Sequence, residues 1–205
     1  MPGLAYRIRT PRLLLRCWYP TDANLLQREI NDNLEHLRPW MDWAVQEPEP
    51  LRNKIERLRR YRDDFVSHRD FFYGIFDGKG VRIMGGAGLH PRVGPGAREI
   101  GYWISKGHTQ QGFATESGAA LTTVAFEIDG VERVEIHCDP RNQASARVAE
   151  KLGFEHRETL IGDKTSPNGE LRDTMIWIMM AADYAGSVAA RVQIAAFNRG
   201  GLRLL

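Results

Sequence analysis

EIGYWISKGHTQQGFATE, residues 99–116, decides how the rest of the chain is read. It begins as a strand, passes through a polar turn between Gly107 and Gly112, and opens into a helical pattern. In that pattern Ala120, Leu121, Val124, Ala125 and Ile128 share one face. A strand-turn-helix junction of this kind invites an anion. Gly112 and Ala114 carry little or no side chain, so a diphosphate can come close to the unpaired amides of the first helical turn, assisted by the helix dipole. An ordinary turn without a ligand would leave the same trace, and a glycine motif alone does not separate the two. Neither of two better-known phosphate cradles is present. There is no Gly-x-x-x-x-Gly-Lys-Ser/Thr, and no Gly-x-Gly-x-x-Gly between a strand and a helix. The other glycine cluster, Gly85-Gly86-Ala87-Gly88, lies inside an apolar run and reads as a bulge or a place where another group approaches the backbone.

The chain has 205 residues, 42% of them hydrophobic and 26% charged, which suits one well-filled core. A net charge of +2 is too mild to mark a nucleic-acid surface, so no nucleic-acid partner is expected. Cys17 and Cys138 fall in strand-like runs without zinc or redox spacing and read as buried reduced thiols, consistent with a reducing compartment; no metal site is expected. The first residues lack an apolar signal core, and no window approaches the ~18 apolar residues of a membrane span, so a cytoplasmic protein without a membrane partner is expected.

Upstream of the deciding stretch, Arg12 to Trp18 reads as a strand and a helix starts near Asp22. Pro39 breaks that helix near Leu37 to Trp40, and Pro48 and Pro50 impose an extended link. A second helix follows from Leu51 to about His68; its arginines alternate with Glu56, Asp63 and Asp64, as on a salted surface. Asp70 to Phe76, Val81 to Leu89 and Arg98 to Ser105 form an antiparallel meander. Beyond the central helix, Arg133 to Cys138 is a strand, and a strand-helix-strand order favours a parallel pair. A short helix covers Gln143 to Leu152 and stops at Gly153. Phe154 to Leu160 and Leu171 to Met180 close a hairpin around Ser166-Pro167-Asn168-Gly169. The stretch 185–205 shows no clear period, leaving its structure undecided beyond a domain spanning 1–184.

The ordered set of these elements resembles the GCN5-related N-acetyltransferase (GNAT) superfamily, and within it the branch that acetylates N-terminal amines of ribosomal proteins (RimJ/RimL-like). The likeness is carried by Thr10-Pro11-Arg12-Leu13-Leu14-Leu15-Arg16, Leu37-Arg38-Pro39-Trp40-Met41, Ile100-Gly101-Tyr102-Trp103-Ile104 and Gln111-Gly112-Phe113-Ala114-Thr115-Glu116. Downstream it continues in Asn142-Gln143-Ala144-Ser145, Glu150-Lys151-Leu152-Gly153-Phe154 and Asp183-Tyr184. The resemblance implies an α/β (α+β) fold: one mixed, mostly antiparallel twisted sheet of six to seven strands with a splayed central parallel pair, flanked by about four helices. It also implies acetyl-CoA as cosubstrate, held by Ile104, Gln110, Gln111, Gly112, Phe113, Ala114, Thr115 and Asn142. One departure is that Thr109 stands where family loops commonly carry Gln or Arg, and Gln110 where glycine is frequent.

Amine acylation from a thioester needs a neutral nucleophile and a proton for the departing thiolate. Ser145 matches the serine of the family's Asn-x-x-Ser motif and is the acid candidate. The tyrosine that many members place before Glu-Lys-Leu-Gly-Phe is absent, Ala149 standing there. A helix-start serine that only bonds nearby backbone is the competing reading. For the base, Glu99 at the start of the gap-lining strand competes with His137, since histidine titrates near neutrality. The family assigns acceptor recognition to the N-terminal helices, here Trp40, Asp42 and Trp43, with Tyr102 edging the channel. Two classes of function follow besides a protein N-terminal acetyltransferase acting as monomer or homodimer. One is a small-molecule amine (polyamine or aminoglycoside) acyltransferase; the other is a non-catalytic acyl-CoA-binding module.

Overall fold

The computed structural model describes residues 4–166 and 169–205; Pro167 and Asn168, the expected tip of the closing hairpin, lie outside them. Strands β1 (Arg7–Arg9), β2 (Leu13–Cys17), β3 (Phe71–Asp77), β4 (Ile83–His90), β5 (Ala97–Ile104), β6 (Arg133–Cys138), β7 (Glu155–Thr165), β8 (Leu171–Met180) and β9 (Ala195–Phe197) form one sheet. Their order is β7-β8-β6-β5-β4-β3-β2-β1-β9. All neighbours are antiparallel except β5 and β6.

Six α-helices accompany the sheet among the described residues: α1 (Ala23–Asp32), α2 (Leu34–Leu37), α3 (Leu51–Val66), α4 (Phe113–Glu127), α5 (Gln143–Leu152) and α6 (Ala181–Tyr184). The expected parallel pair is present, and so is the single mixed sheet. Nine strands replace the six to seven expected, because two short segments without readable alternation, β1 and β9, pair at the sheet's edge. The partners there are Arg7 with Phe197 and Ile8 with Ala196. The undecided tail therefore completes the sheet. Two of the six helices, α2 and α6, are single turns. The other four are the long ones that amphipathic spacing makes visible.

Each face of the sheet buries a different set of side chains, as period-two alternation requires. On one side Leu13, Leu15, Ile100, Ile104, Val134 and Ile136 pack against Leu121, Val124 and Ala125 of α4 and Leu152 of α5. On the other, Leu14, Trp18 and Phe76 meet Leu26 and Ile30 of α1 and Leu58 of α3, with Trp43 and Trp103 at the margin. The glycines of β4 are where the second face draws close. A Cβ on Gly85 would stand 2.0 Å from the Trp103 carbonyl oxygen, and one on Gly86 would stand 2.5 Å from the Trp103 indole nitrogen. A register shift lies beside them at Ile75/Phe76, so the cluster is both a close approach and a neighbour of a bulge.

The link between α2 and α3 is held by charge. Lys54, fully buried, bonds the equally buried Glu47; Arg57 bonds both Glu47 and Glu49. Arg38 donates to the Glu47 carbonyl at 2.7 Å. At the far end of α4, the Tyr184 hydroxyl bonds Glu127 at 2.6 Å and Thr123 at 3.1 Å, tying α6 down. Among the described residues no helix is long and apolar enough to cross a membrane.

Candidate active site

The strand-turn-helix stretch ends in an open helix mouth. Gly112 takes φ 82°, a left-handed conformation that glycine adopts without strain. Gln110 takes φ 60°, also left-handed, at the place where the family's loops frequently carry glycine. The backbone shape is thus kept at a conformational cost of about 1 kcal/mol. The first intrahelical bond runs from Glu116 N–H to the Gly112 carbonyl at 2.9 Å. Among the described residues, no protein group accepts from the main-chain N–H of Gly112, Phe113, Ala114 or Thr115. These are the orphan donors of a helix start, aimed along the dipole where negative charge is stabilised. Gln111 sits beside them, its amide donating to the Gly107 carbonyl at 3.0 Å.

Next to this mouth the sheet splits. β5 and β6 pair only at Ala97 with Arg133, Arg98 with Val134 and Glu99 with Glu135. Beyond Glu99 the two strands part. Because Ser105 N–H bonds Met84 of β4, alternation turns the main-chain groups of Tyr102 and Ile104 away from β4 and into the gap. The Ile104 carbonyl accepts there from His36 Nε2 of α2 at 3.2 Å. Its N–H faces the same gap.

Across the gap, Asn142 caps α5 by accepting from Ser145 N–H at 3.1 Å, leaving the serine hydroxyl for another use. That hydroxyl lies 2.9 Å from the Tyr102 hydroxyl. The competing reading of Ser145 as a hydroxyl bonding nearby backbone does not describe this geometry. Burial pushes the Tyr102 hydroxyl well up, against the opposing pull of Ser145, so it stays protonated at neutral pH. Cys138, a free buried thiol at the end of β6, is likewise pushed up by burial, with Ser145 opposing.

The opposite face of the gap carries the two base candidates. Glu99 accepts two hydrogen bonds from Arg92, at 2.6 and 2.5 Å. Burial alone would raise its carboxyl, but the hydrogen bonds and charge of Arg92, with His137 and His90 beyond, carry it below the usual value. A carboxylate so held is a weaker proton acceptor. His137 Nε2 is 2.6 Å from Glu135, and its Nδ1 is 3.9 Å from Glu99. Arg133 grips Glu135 in turn at 2.6 Å. A neighbouring pair, His90 Nδ1 and Asp70 at 2.6 Å, closes the row.

The acceptor candidates do not all converge. Trp40 lines a cavity of about 440 Å³ with Arg38, Pro39, Val45, Arg141 and Arg172. Asp42 is exposed, 3.7 Å from the Arg172 of that lining. Trp43 instead packs against Trp103, with ring centroids 6.1 Å apart, at the edge of the α1–α3 core. Tyr102 belongs to the other face, where it meets Ser145. One-residue alternation on β5 sends Tyr102 opposite to Glu99 and Trp103.

Two residues at the site escaped sequence reasoning as site residues. His36 reaches Ile104 from a one-turn helix with no motif of its own. Arg12 reaches the α4 mouth from the start of β2: Nε bonds Glu116 at 2.6 Å, Nη1 bonds the Gln111 carbonyl at 2.9 Å, and the guanidinium lies over the Phe113 ring. The available signal for Arg12 was its place in a family motif whose partner, Glu116, stands in another.

Residues 12–155 match the family model described as an acetyltransferase (GNAT) domain. The chain is 29% identical over 131 residues to Probable N-acetyltransferase YjcK of Bacillus subtilis (strain 168), spanning 62% of this chain and 71% of YjcK. Mycobacterium smegmatis RimJ in complex with CoA-disulfide superposes with a TM-score of 0.79 at 24% identity, covering 93% of each chain. RimL, a ribosomal L7/L12 alpha-N-protein acetyltransferase, in complex with coenzyme A gives 0.75 at 22% identity, covering 83% of this chain and 95% of RimL. At those identities the two structures speak for the fold.

Proposed function

The chain belongs to the GNAT acetyltransferase family, and on that premise we propose that it transfers an acetyl group from acetyl-CoA to the α-amine of a protein N-terminus, of the ribosomal-protein type, by direct attack in a ternary complex. The observation that carries this reading is the row of unaccepted N–H groups from Gly112 to Thr115 standing beside the parted strands β5 and β6. An anion cradle and a slot of extended backbone adjoin, as a diphosphate joined to a pantetheine arm requires. The likeness to RimL, an alpha-N-protein acetyltransferase of ribosomal L7/L12, supports the N-terminal acceptor, which in turn implies a cytoplasmic setting.

Bound acetyl-CoA supplies the acyl group as a thioester. Gly112, Phe113, Ala114 and Thr115 hold its diphosphate by main-chain N–H, flanked by Gln110 and Gln111. The Ile104 N–H and the Asn142 side-chain amide bond the arm in the gap. Ser145 gives its proton to the departing thiolate, and Tyr102, kept protonated by burial, replenishes or orients that hydroxyl. On the opposite face, His137 takes a proton from the incoming amine through Nδ1, the ring nitrogen that Glu135 does not occupy. Glu99 holds negative charge beside it. Trp40 and Asp42 receive the acceptor, Asp42 drawing in its cationic amine.

Free-thiol release from acetyl-CoA, measured with panels of peptides, polyamines and aminoglycosides, tests the reading. Release with free N-terminal peptides and none with the same peptides N-acetylated is the expected result. Release only with small amines would overturn the acceptor, and none with any amine would overturn turnover. His137→Gln is expected to lower kcat more than Glu99→Gln; the reverse order would move the base to Glu99.

A further inference from the structure

We propose that Arg12 is a cofactor-binding residue: its unengaged Nη2 donates to the diphosphate of coenzyme A while its Nε cancels the charge of Glu116. The inference rests on the acetyl-CoA reading above and adds to it a side chain that neither the helix mouth nor the splayed strands supply. Glu116 sits in the first turn of α4, the place where an incoming diphosphate would meet a carboxylate of its own sign. That carboxylate is instead taken up completely by the segment before β2. Oε1 accepts from the Thr10 hydroxyl at 2.5 Å and from Arg12 N–H at 3.0 Å, and Oε2 accepts from Arg12 Nε at 2.6 Å.

The guanidinium is fixed at two of its three nitrogens and laid over the Phe113 ring, 4.6 Å from its centroid. Among the described residues the third nitrogen, Nη2, has no hydrogen-bond partner. It stands 3.3 Å from where a Cβ on Gly112, the first residue of the run of free amides, would lie. With Nε and Nη1 engaged, Nη2 is left as a single open donor on a side chain about half exposed at the cradle's rim, and a charged guanidinium nitrogen is a strong donor to phosphate oxygens. The pairing joins two sequence motifs 104 residues apart.

The test compares kcat/KM for acetyl-CoA with that for acetyl-pantetheine, which carries the thioester but no diphosphate, in wild type, Arg12→Ala, Arg12→Gln, Glu116→Gln and the Arg12→Ala/Glu116→Gln double variant. In the arginine variants the ratio between the two substrates is expected to fall about tenfold or more, the range of one charge-assisted hydrogen bond. It is expected to stay low in the double variant, because removing Glu116 does not restore the lost donor. A ratio unchanged by Arg12→Ala and Arg12→Gln, with both substrates slowed equally, would make the residue a structural tie and overturn the proposal. Recovery in the double variant would overturn the direct contact and leave only charge cancellation. Absence of acetyl-CoA turnover in the wild type would instead sink the acetyltransfer reading itself.

Discussion

At the mouth of α4, four main-chain N–H groups from Gly112 to Thr115 are left without protein acceptors. On the far side of the sheet, Glu47, Glu49, Lys54 and Arg57 are packed into a closed group of opposite charges. Both regions concentrate electrostatic potential, but they use it differently. The buried group satisfies itself and fixes the link that carries Trp40 and Asp42, so it serves shape. The helix mouth leaves its donors open, as the proposed diphosphate site requires. Unmet polar groups are costly where they are buried and useful where they are exposed. The half-exposed rim from Gly112 to Thr115 is where a protein can keep them available.

The comparison breaks first at its closed end. Lys54→Met leaves Arg57 as the one cation on the buried Glu47 carboxylate among the described residues, beside the Glu49 N–H, and the expected loss is about 3 kcal/mol of stability, read from the denaturant midpoint. A loss below about 1 kcal/mol would mean that water or relaxation already satisfies Glu47. At the open end, Gly112→Glu puts a strained, charged side chain into the cradle beside Arg12. CoA affinity is expected to fall at least about a hundredfold by calorimetry, while the left-handed strain lowers stability by only about 1 kcal/mol. A wild-type isotherm would remove the cradle.

Much of the open end was legible in the sequence, because glycine at a strand-to-helix turn is a backbone signal and the open donors are main-chain groups. The same holds for α5, whose cap Asn142 and stop Gly153 bound it at the expected residues. The closed group was not legible. The arginines of α3 read as part of a salted surface, nothing in the spacing marked Glu47 or Glu49, and only tertiary packing turned Lys54 inward. The sequence also could not place Tyr102: strand alternation was visible, yet which face would meet α5 depends on how β5 and β6 part. Short edge strands such as β1 and β9 carry too few residues to show a period at all.

Two smaller effects sharpen the contrast. Ser145→Ala is expected to lower kcat about tenfold with little change in CoA affinity, and Tyr102→Phe about threefold, since the tyrosine acts through the serine. Equal effects would make the two hydroxyls a single unit, and no effect from Ser145→Ala would hand the proton to water. The smallest effect concerns pH. The Glu99 carboxyl is held below its ordinary value of 4.5, so the stability it contributes is fully present above that pH and is lost as pH falls through the lower folded value. Arg92→Met is therefore expected to move the onset of acid unfolding to higher pH, followed by fluorescence. An unmoved onset would show that Arg92 does not set the Glu99 titration.

Amide chemical shifts of isotope-labelled protein, titrated with CoA and in parallel with pantetheine, address the helix mouth itself. The account predicts that the N–H signals of Gly112, Phe113, Ala114 and Thr115 move most with CoA and far less with pantetheine, which lacks the diphosphate. Saturable CoA binding that leaves those four signals in place would contradict it.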